Sequence, residues 1–255
     1  MANSLDVDKL ERAVKSVYED VAEEPGEEYH FEMGRDLAER LGYPPDHLDR
    51  VPAAAMESFA GVGYYFDLAG IEAGDDVLDL GSGSGTDVFV AAVHAGEAGS
   101  VTGLDMTDRQ LEKARALRDA AGLDHLSFER GYVEDVPFED GAFDVVVSNG
   151  VINLSPDKAR VFEEAHRVLA PGGRLAIADI ISEEVMPESI KTDEDLWAAC
   201  IGGAEQIDRY TSSIEAAGFD VTDVRENTQY EFVSERAANA CEKYGVKSVS
   251  IGATK

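Results

Sequence analysis

Asp76-Val-Leu-Asp-Leu80 runs directly into Gly81-Ser-Gly-Ser-Gly85, and that junction decides how the whole chain is read. A short run carrying Val77, Leu78 and Leu80 that stops at a cluster of glycines has the signature of a buried strand ending in a tight turn. Glycines at 81, 83 and 85 let the backbone turn sharply and approach a ligand closely. The helix expected over Asp87 to Ala95 then points its free N–H groups back at the same spot.

Working outward, the same alternation recurs. Ser100 to Leu104 reads as a second strand ending in Asp105, followed by a helix over Asp108 to Ala121. Leu126 to Arg130 and Phe143 to Ser148 read as strands three and four, and Pro156 to Leu169 as a helix. Pro171-Gly172-Gly173 turns into strand five, Arg174 to Ile180. Near-continuous apolar strands alternating with helices imply a parallel sheet covered on both faces. Val221 to Val224 and Val246 to Ile251 are expected to close it as antiparallel edge strands. The expected fold is therefore α/β, a doubly wound, mostly parallel seven-stranded Rossmann-like sheet.

Two further segments flank this core. Residues 1–69 form a helical extension, with Leu10, Val14, Val17 and Val21 at helical spacing over 5–24 and a second helix across Met33 to Leu41. Residues 70–182 hold the core. Residues 183–255 begin with a cap insertion after strand five, Glu183 to Ala204, where the alternation lapses at the active edge of the sheet. A helix over Ile207 to Ala217 and the last two strands complete the sheet.

The chain of 255 residues is 44% apolar, enough for a core of ordinary size. It carries 52 acidic against 22 basic side chains, a formal net charge of −30. So large an acidic excess repels nucleic acid, whose binding depends on Lys and Arg displacing counterions. The acids are spread from end to end beside 14 Arg and 8 Lys, which reads as a surface adapted to concentrated salt, as in a halophile's cytoplasm. The two cysteines, Cys200 and Cys241, form no disulfide framework. The charged start and the absence of a long apolar run predict a cytoplasmic protein with no membrane insertion. His30, His47, His94, His125 and His166 show no metal-ligand spacing.

Asp105 follows Gly85 by 20 residues, where a carboxylate can accept hydrogen bonds from both ribose hydroxyls of a nucleoside cofactor. That feature alone fits a nicotinamide dinucleotide equally well. The glycine spacing separates the two. A dinucleotide fingerprint needs a third glycine where this chain has Thr86, and here the pattern is G-x-G-x-G with an acid two residues ahead.

Val77-Leu-Asp-Leu-Gly-Ser-Gly-Ser-Gly85, Gly103-Leu-Asp105-Met106, Gly131-Tyr-Val-Glu134-Asp-Val-Pro-Phe138, Phe143-Asp144 and Arg167-Val-Leu-Ala-Pro-Gly-Gly-Arg174 together resemble the class I S-adenosylmethionine-dependent methyltransferases. The nearer resemblance is to arsenite methyltransferases and their ubiquinone/menaquinone C-methyltransferase relatives. It extends through Glu57-Ser-Phe-Ala-Gly-Val-Gly63, Val151-Ile-Asn-Leu-Ser-Pro-Asp-Lys158 and Ala199-Cys200-Ile-Gly-Gly-Ala204.

The resemblance implies S-adenosyl-L-methionine as cofactor and a small-molecule acceptor. Gly81, Gly83 and Gly85 would pack on its methionine moiety and Asp79 would position the ammonium. Asp105 would hold the ribose, Met106 would flank the adenine, and Val133 and Glu134 would read its edge. Asn149 would line the pocket near the methyl group, and Tyr18 would close over the methionine end. Met106 and Val133 would look the same as ordinary packing residues.

In the arsenite branch, thiolates hold As(III), a soft centre, while its lone pair attacks the methyl. Family members carry one thiol directly after the Ser-Asn of strand four and another in the Cys-(Ile/Leu)-Gly-Gly-Ala run. This chain keeps the second, Cys200, as a candidate As(III) ligand and catalytic residue, and has Gly150 at the first. A glycine there would also suit a bulkier quinone or other organic acceptor. A small buried residue is the plain alternative for Cys200, and a non-catalytic cofactor-binding module is the alternative for the whole chain.

Overall fold

The computed structural model describes residues 6–191, 197, 201–233 and 235–255. Its strands are β1 (Asp76–Leu80), β2 (Ser100–Asp105), β3 (Leu126–Arg130), β4 (Phe143–Asn149), β5 (Leu169–Ser182), β6 (Glu205–Gln206), β7 (Asp220–Glu226) and β8 (Lys247–Thr254). They form one eight-stranded sheet in the order β3-β2-β1-β4-β5-β8-β7, with the two-residue β6 added in parallel beside the end of β5.

Seven strands follow the expected path and the sheet is mostly parallel, but three details differ. β6 is extra, too short for any periodicity to announce. β5 begins at Leu169 instead of Arg174, taking in the Pro171-Gly172-Gly173 turn through a register shift against β4. And the two late strands are not both antiparallel edges. β8 lies inside the sheet, antiparallel to both β5 and β7, which leaves β7 as the edge, running with the other strands.

The helices are α1 (Val7–Glu23), α2 (Arg35–Leu41), α3 (Pro45–Leu48), α4 (Ala53–Glu57), α5 (Phe66–Ala69), α6 (Thr86–Ala95), α7 (Asp108–Ala121), α8 (Lys158–Val168), α9 (Glu188–Lys191), α10 (Ile207–Ala216) and α11 (Glu235–Tyr244). Asp6 caps α1 by accepting from the Lys9 amide at 3.1 Å, and Asp157 caps α8 through the Arg160 amide at 3.2 Å. Among the described residues, no helix is long and apolar enough to cross a membrane.

Alternation along the strands divides the core in two. Val77, Val101, Val145 and Val147 face one side, packing with Val88 and Phe89 of α6 and Leu111 of α7. Leu37, Tyr43, Phe59 and Tyr65 of the N-terminal extension join this cluster, so residues 35–69 share the core of the sheet. Leu78, Leu80, Val146 and Ile177 face the other side, against Val161 and Phe162 of α8 and Tyr210 and Ile214 of α10. The period of two then puts Asp79, Asp105 and Asn149 on the same face as Val77, Val101 and Val147, at the ends of three adjacent strands.

Candidate functional site

Those three strand ends open into a cavity of about 290 Å³. Its floor is the Gly81–Ser84 turn. Gly81 and Gly83 have φ of +78° and +53°, which glycine adopts without strain, and a Cβ on Gly81 would fall 2.4 Å from Val151. Met106, Val133 and Glu134 form one side and Asn149, Gly150 and Val151 the other.

The inner face of α1 covers it with Leu10, Val14 and Tyr18. α7 holds α1 down: Gln110 Nε2 donates to the Tyr18 carbonyl at 2.8 Å and Lys113 Nζ to the Ala22 carbonyl at 3.1 Å. At the mouth, Tyr132 donates its hydroxyl to Glu11 at 2.7 Å while Lys15 Nζ donates to the Tyr132 oxygen at 2.9 Å. Hydrogen bonds from Lys15 and Tyr132 hold the Glu11 carboxyl below its usual range.

The cavity is acidic. Glu11, Asp79, Asp87, Asp105 and Glu134 line it, and no Lys, Arg or His does so among the described residues. Asp79 is 2% exposed; burial, with the charges of Asp87 and Asp105, pushes its carboxyl well above the ordinary range. Burial also raises Asp105, although its oxygens accept from the Gly83 amide at 2.9 Å and the Thr107 amide at 2.8 Å.

Asp87, in the first turn of α6, accepts from Tyr43 and Tyr65 hydroxyls at 2.8 Å each and from Asn149 Nδ2 at 3.0 Å. Burial still raises it. Asn149 is fully engaged, its Oδ1 accepting from the Val62 amide at 2.7 Å while Nδ2 also reaches the Tyr43 oxygen at 3.0 Å and the Gly63 carbonyl at 3.1 Å.

A family model described as a methyltransferase domain matches residues 71–218, well over half of the chain. The chain belongs to the methyltransferase domain family. S-adenosylmethionine is the cofactor of that class, which removes the nicotinamide reading. The chain is 37% identical to the arsenite methyltransferase of Halobacterium salinarum over 78% of its own length and 51% of that relative's. It is 43% identical to the human arsenite methyltransferase over 50% of this chain and 36% of the human one. Among solved structures, the arsenic(III) S-adenosylmethionine methyltransferase of Chlamydomonas reinhardtii superposes with a TM-score of 0.69 at 37% identity, covering 82% of this chain and 72% of that one. The chain thus spans about half, or less, of the length of these arsenite methyltransferases.

Of the residues singled out from the sequence, the structure brings Tyr18, Asp79, Gly81, Gly83, Asp105, Met106, Val133, Glu134 and Asn149 together on this cavity. Gly85 stands behind it: a Cβ there would meet Phe128 at 2.8 Å, so this glycine serves the packing of α6 on β3. Cys200 lies outside the described residues. Gly150 lines the wall in the left-handed region, with φ of +69°.

Sequence reasoning missed Asp87, Tyr43 and Tyr65. An acid in the first turn of a helix reads as a partner for the helix dipole, and nothing in the spacing links it to phenols more than twenty residues upstream. The Glu134 partner, Ser155, was equally invisible; its hydroxyl donates to Glu134 across the β3–β4 and β4–α8 connections.

Proposed function

We propose that this chain is an S-adenosylmethionine-dependent methyltransferase that acts on a small molecule, and that its acceptor is arsenite presented as a thiol adduct. The observation that carries the cofactor assignment is the cluster of Asp79, Asp87 and Asp105 around a cavity that no basic residue lines among the described residues. Carboxylates raised by burial, Asp79 also by the charges of Asp87 and Asp105, are relieved by a cationic ligand, and this cofactor carries both an ammonium and a sulfonium.

S-adenosylmethionine, when bound, supplies a methyl group already activated on sulfur. The protein's part is to bind, align and exclude water. On this reading Asp79 takes the ammonium; none of the described residues donates a hydrogen bond or ion pair to it, so its oxygens are available. Asp105 takes the ribose hydroxyls, with the Gly83 and Thr107 amides fixing its orientation. Met106 and Val133 flank the adenine and Glu134 accepts from its amino group, steadied by Ser155. Asn149 braces the wall at the methyl end through Asp87, and Tyr18 covers the methionine end.

The arsenite assignment draws on the relatives named above and on the wall at Gly150. Val62 stands 3.2 Å from where a Cβ on this glycine would fall, which favours a small acceptor over a bulkier one. With no side chain to ligate from position 150, Cys200 is left as the proposed protein thiol and small-molecule thiols complete the coordination of As(III).

The test is arsenic speciation after incubating the protein in molar KCl with S-adenosylmethionine, a small thiol and arsenite. Methylated arsenic that disappears in Cys200→Ser supports the assignment. Confirmed cofactor binding with no methylated arsenic moves the acceptor to the organic class.

A further inference from the structure

The Cys-Ile-Gly-Gly-Ala run at 200–204 carries a thiol, but its two glycines have a task that the thiol does not explain. Trp197, the one tryptophan of the chain, is 6% exposed. Its ring lies directly on the backbone of Gly202 and Gly203. A Cβ on Gly202 would fall 2.3 Å from Trp197 Cδ1, and one on Gly203 would fall 2.8 Å from Cζ3 and 1.8 Å from the Asn153 carbonyl oxygen. Neither position admits a side chain without displacing the indole or that carbonyl.

A cation completes the seat. Lys158 Nζ stands 5.0 Å from the indole centroid, within the range where an ammonium is attracted to an aromatic face, and donates to the Ser155 carbonyl at 2.9 Å. The indole N–H donates to the Lys191 carbonyl at 2.5 Å. From this seat Trp197 packs against Leu10 and Val14 of α1, together with Tyr18, Met106 and Leu154. All five of those residues line the cavity.

We propose that Trp197 is a positioning residue, clamped by the Gly202-Gly203 backbone and the Lys158 ammonium so that it holds α1 in place as the wall of the cofactor cavity. The role in cofactor affinity rests on the cofactor reading above; the clamp on α1 does not. It assigns distinct work to the two halves of the motif: the glycines seat the indole, whatever the cysteine ligates.

The charge on Lys158 has its own signature. Burial pulls its pKa down to about 8, while Asp179 from β5, Glu205 from β6 and Glu134 from the β3–β4 connection favour the ammonium and Lys191 from α9 opposes it. A rise in pH through 8 therefore removes the cation beneath the ring.

The experiment uses the full chain in molar KCl and compares wild type with Gly203→Ala, Lys158→Met and Lys158→Arg. Circular dichroism first confirms that each is folded. Amide hydrogen exchange along α1, acrylamide quenching of the single tryptophan and calorimetric titration with S-adenosylmethionine are then measured. The clamp predicts exchange at Leu10 to Tyr18 about tenfold faster, and a cofactor Kd about tenfold weaker, in Gly203→Ala and Lys158→Met, with Lys158→Arg close to wild type. It also predicts a change in wild-type tryptophan emission centred near pH 8 that Lys158→Met lacks.

Unchanged α1 exchange and unchanged quenching in folded Gly203→Ala would overturn the clamp. Faster α1 exchange with unaltered cofactor affinity would overturn the positioning role. A wild type that binds no S-adenosylmethionine would sink the cofactor reading by itself, and the exchange data would still decide the clamp.

Discussion

Asn149 donates its amide to Asp87 across 3.0 Å, tying the end of β4 to the first turn of α6 beneath the cavity. The same side chain accepts from the Val62 amide, so one asparagine joins the sheet, a helix and the N-terminal extension. Asn149→Leu keeps the volume but leaves a buried carboxylate and a backbone amide without these partners. The expected cost is about 2–3 kcal/mol, read as a lower urea midpoint; an unshifted midpoint would show that the network is slack.

Asp105 anchors the cofactor end differently, through two backbone amides that aim its carboxylate. Asp105→Ala should weaken S-adenosylmethionine binding by about thirtyfold, on the order of 2 kcal/mol, by removing charge-assisted bonds to the ribose. Calorimetric titration gives the answer directly, and equal affinities would remove Asp105 from the ribose.

On the opposite face of the sheet, Asp179 is fully buried, and burial raises its pKa to about 6 even though the Tyr210 hydroxyl donates to it at 2.5 Å. A folded-state pKa above the unfolded value means that the native protein holds this proton more tightly. The resulting stabilisation is complete below about pH 4 and is lost as pH rises through 6, on the order of 3 kcal/mol. Asp179→Asn should flatten that part of the stability profile. Parallel wild-type and variant curves between pH 4.5 and 6.5 in thermal unfolding would contradict the shift.

Gly150→Cys restores a thiol at the position where the resemblance expects one. The backbone there has φ of +69° and Val62 stands 3.2 Å from the new Cβ, so the substitution should destabilise by about 1–2 kcal/mol. If As(III) is the acceptor, the variant should methylate at lower arsenite concentration despite that loss. A less stable variant with an unchanged arsenite dependence would separate position 150 from the acceptor.

The net charge of −30 leaves the surface self-repelling wherever counterions are scarce. Raising KCl from low concentration to molar should stabilise the fold by roughly 2 kcal/mol or more, about 4–8 °C in Tm for a chain of this size. A flat Tm across that range would refute the salt-adapted reading of the composition.

The strands and helices of the core were legible because each carries its own period. β1, β3 and α7 have the bounds that the apolar pattern predicts, and the G-x-G-x-G turn located the cavity. What was not legible depends on contacts between distant segments. The direction and place of β7 and β8 are set by pairing across the sheet, and both strands look alike in isolation. Gly85 reads as a ligand-facing glycine until Phe128 is seen behind it. Likewise Tyr43 and Tyr65 became part of the site only when the extension folded onto α6, and Trp197 acquired a role only beside Gly202, Gly203 and Lys158.

The placement of β8 between β5 and β7 governs the order in which the molecule can be made. From Arg174 to Ile181 one edge of β5 pairs with residues 247–254, and β7 reaches the sheet only through them. During synthesis, every nascent chain that has passed β5 but not yet reached residue 247 therefore carries an open strand edge on a nearly finished core. Such an edge is a template for pairing with another chain, and the mutual repulsion of so acidic a protein is what would keep those unfinished molecules apart.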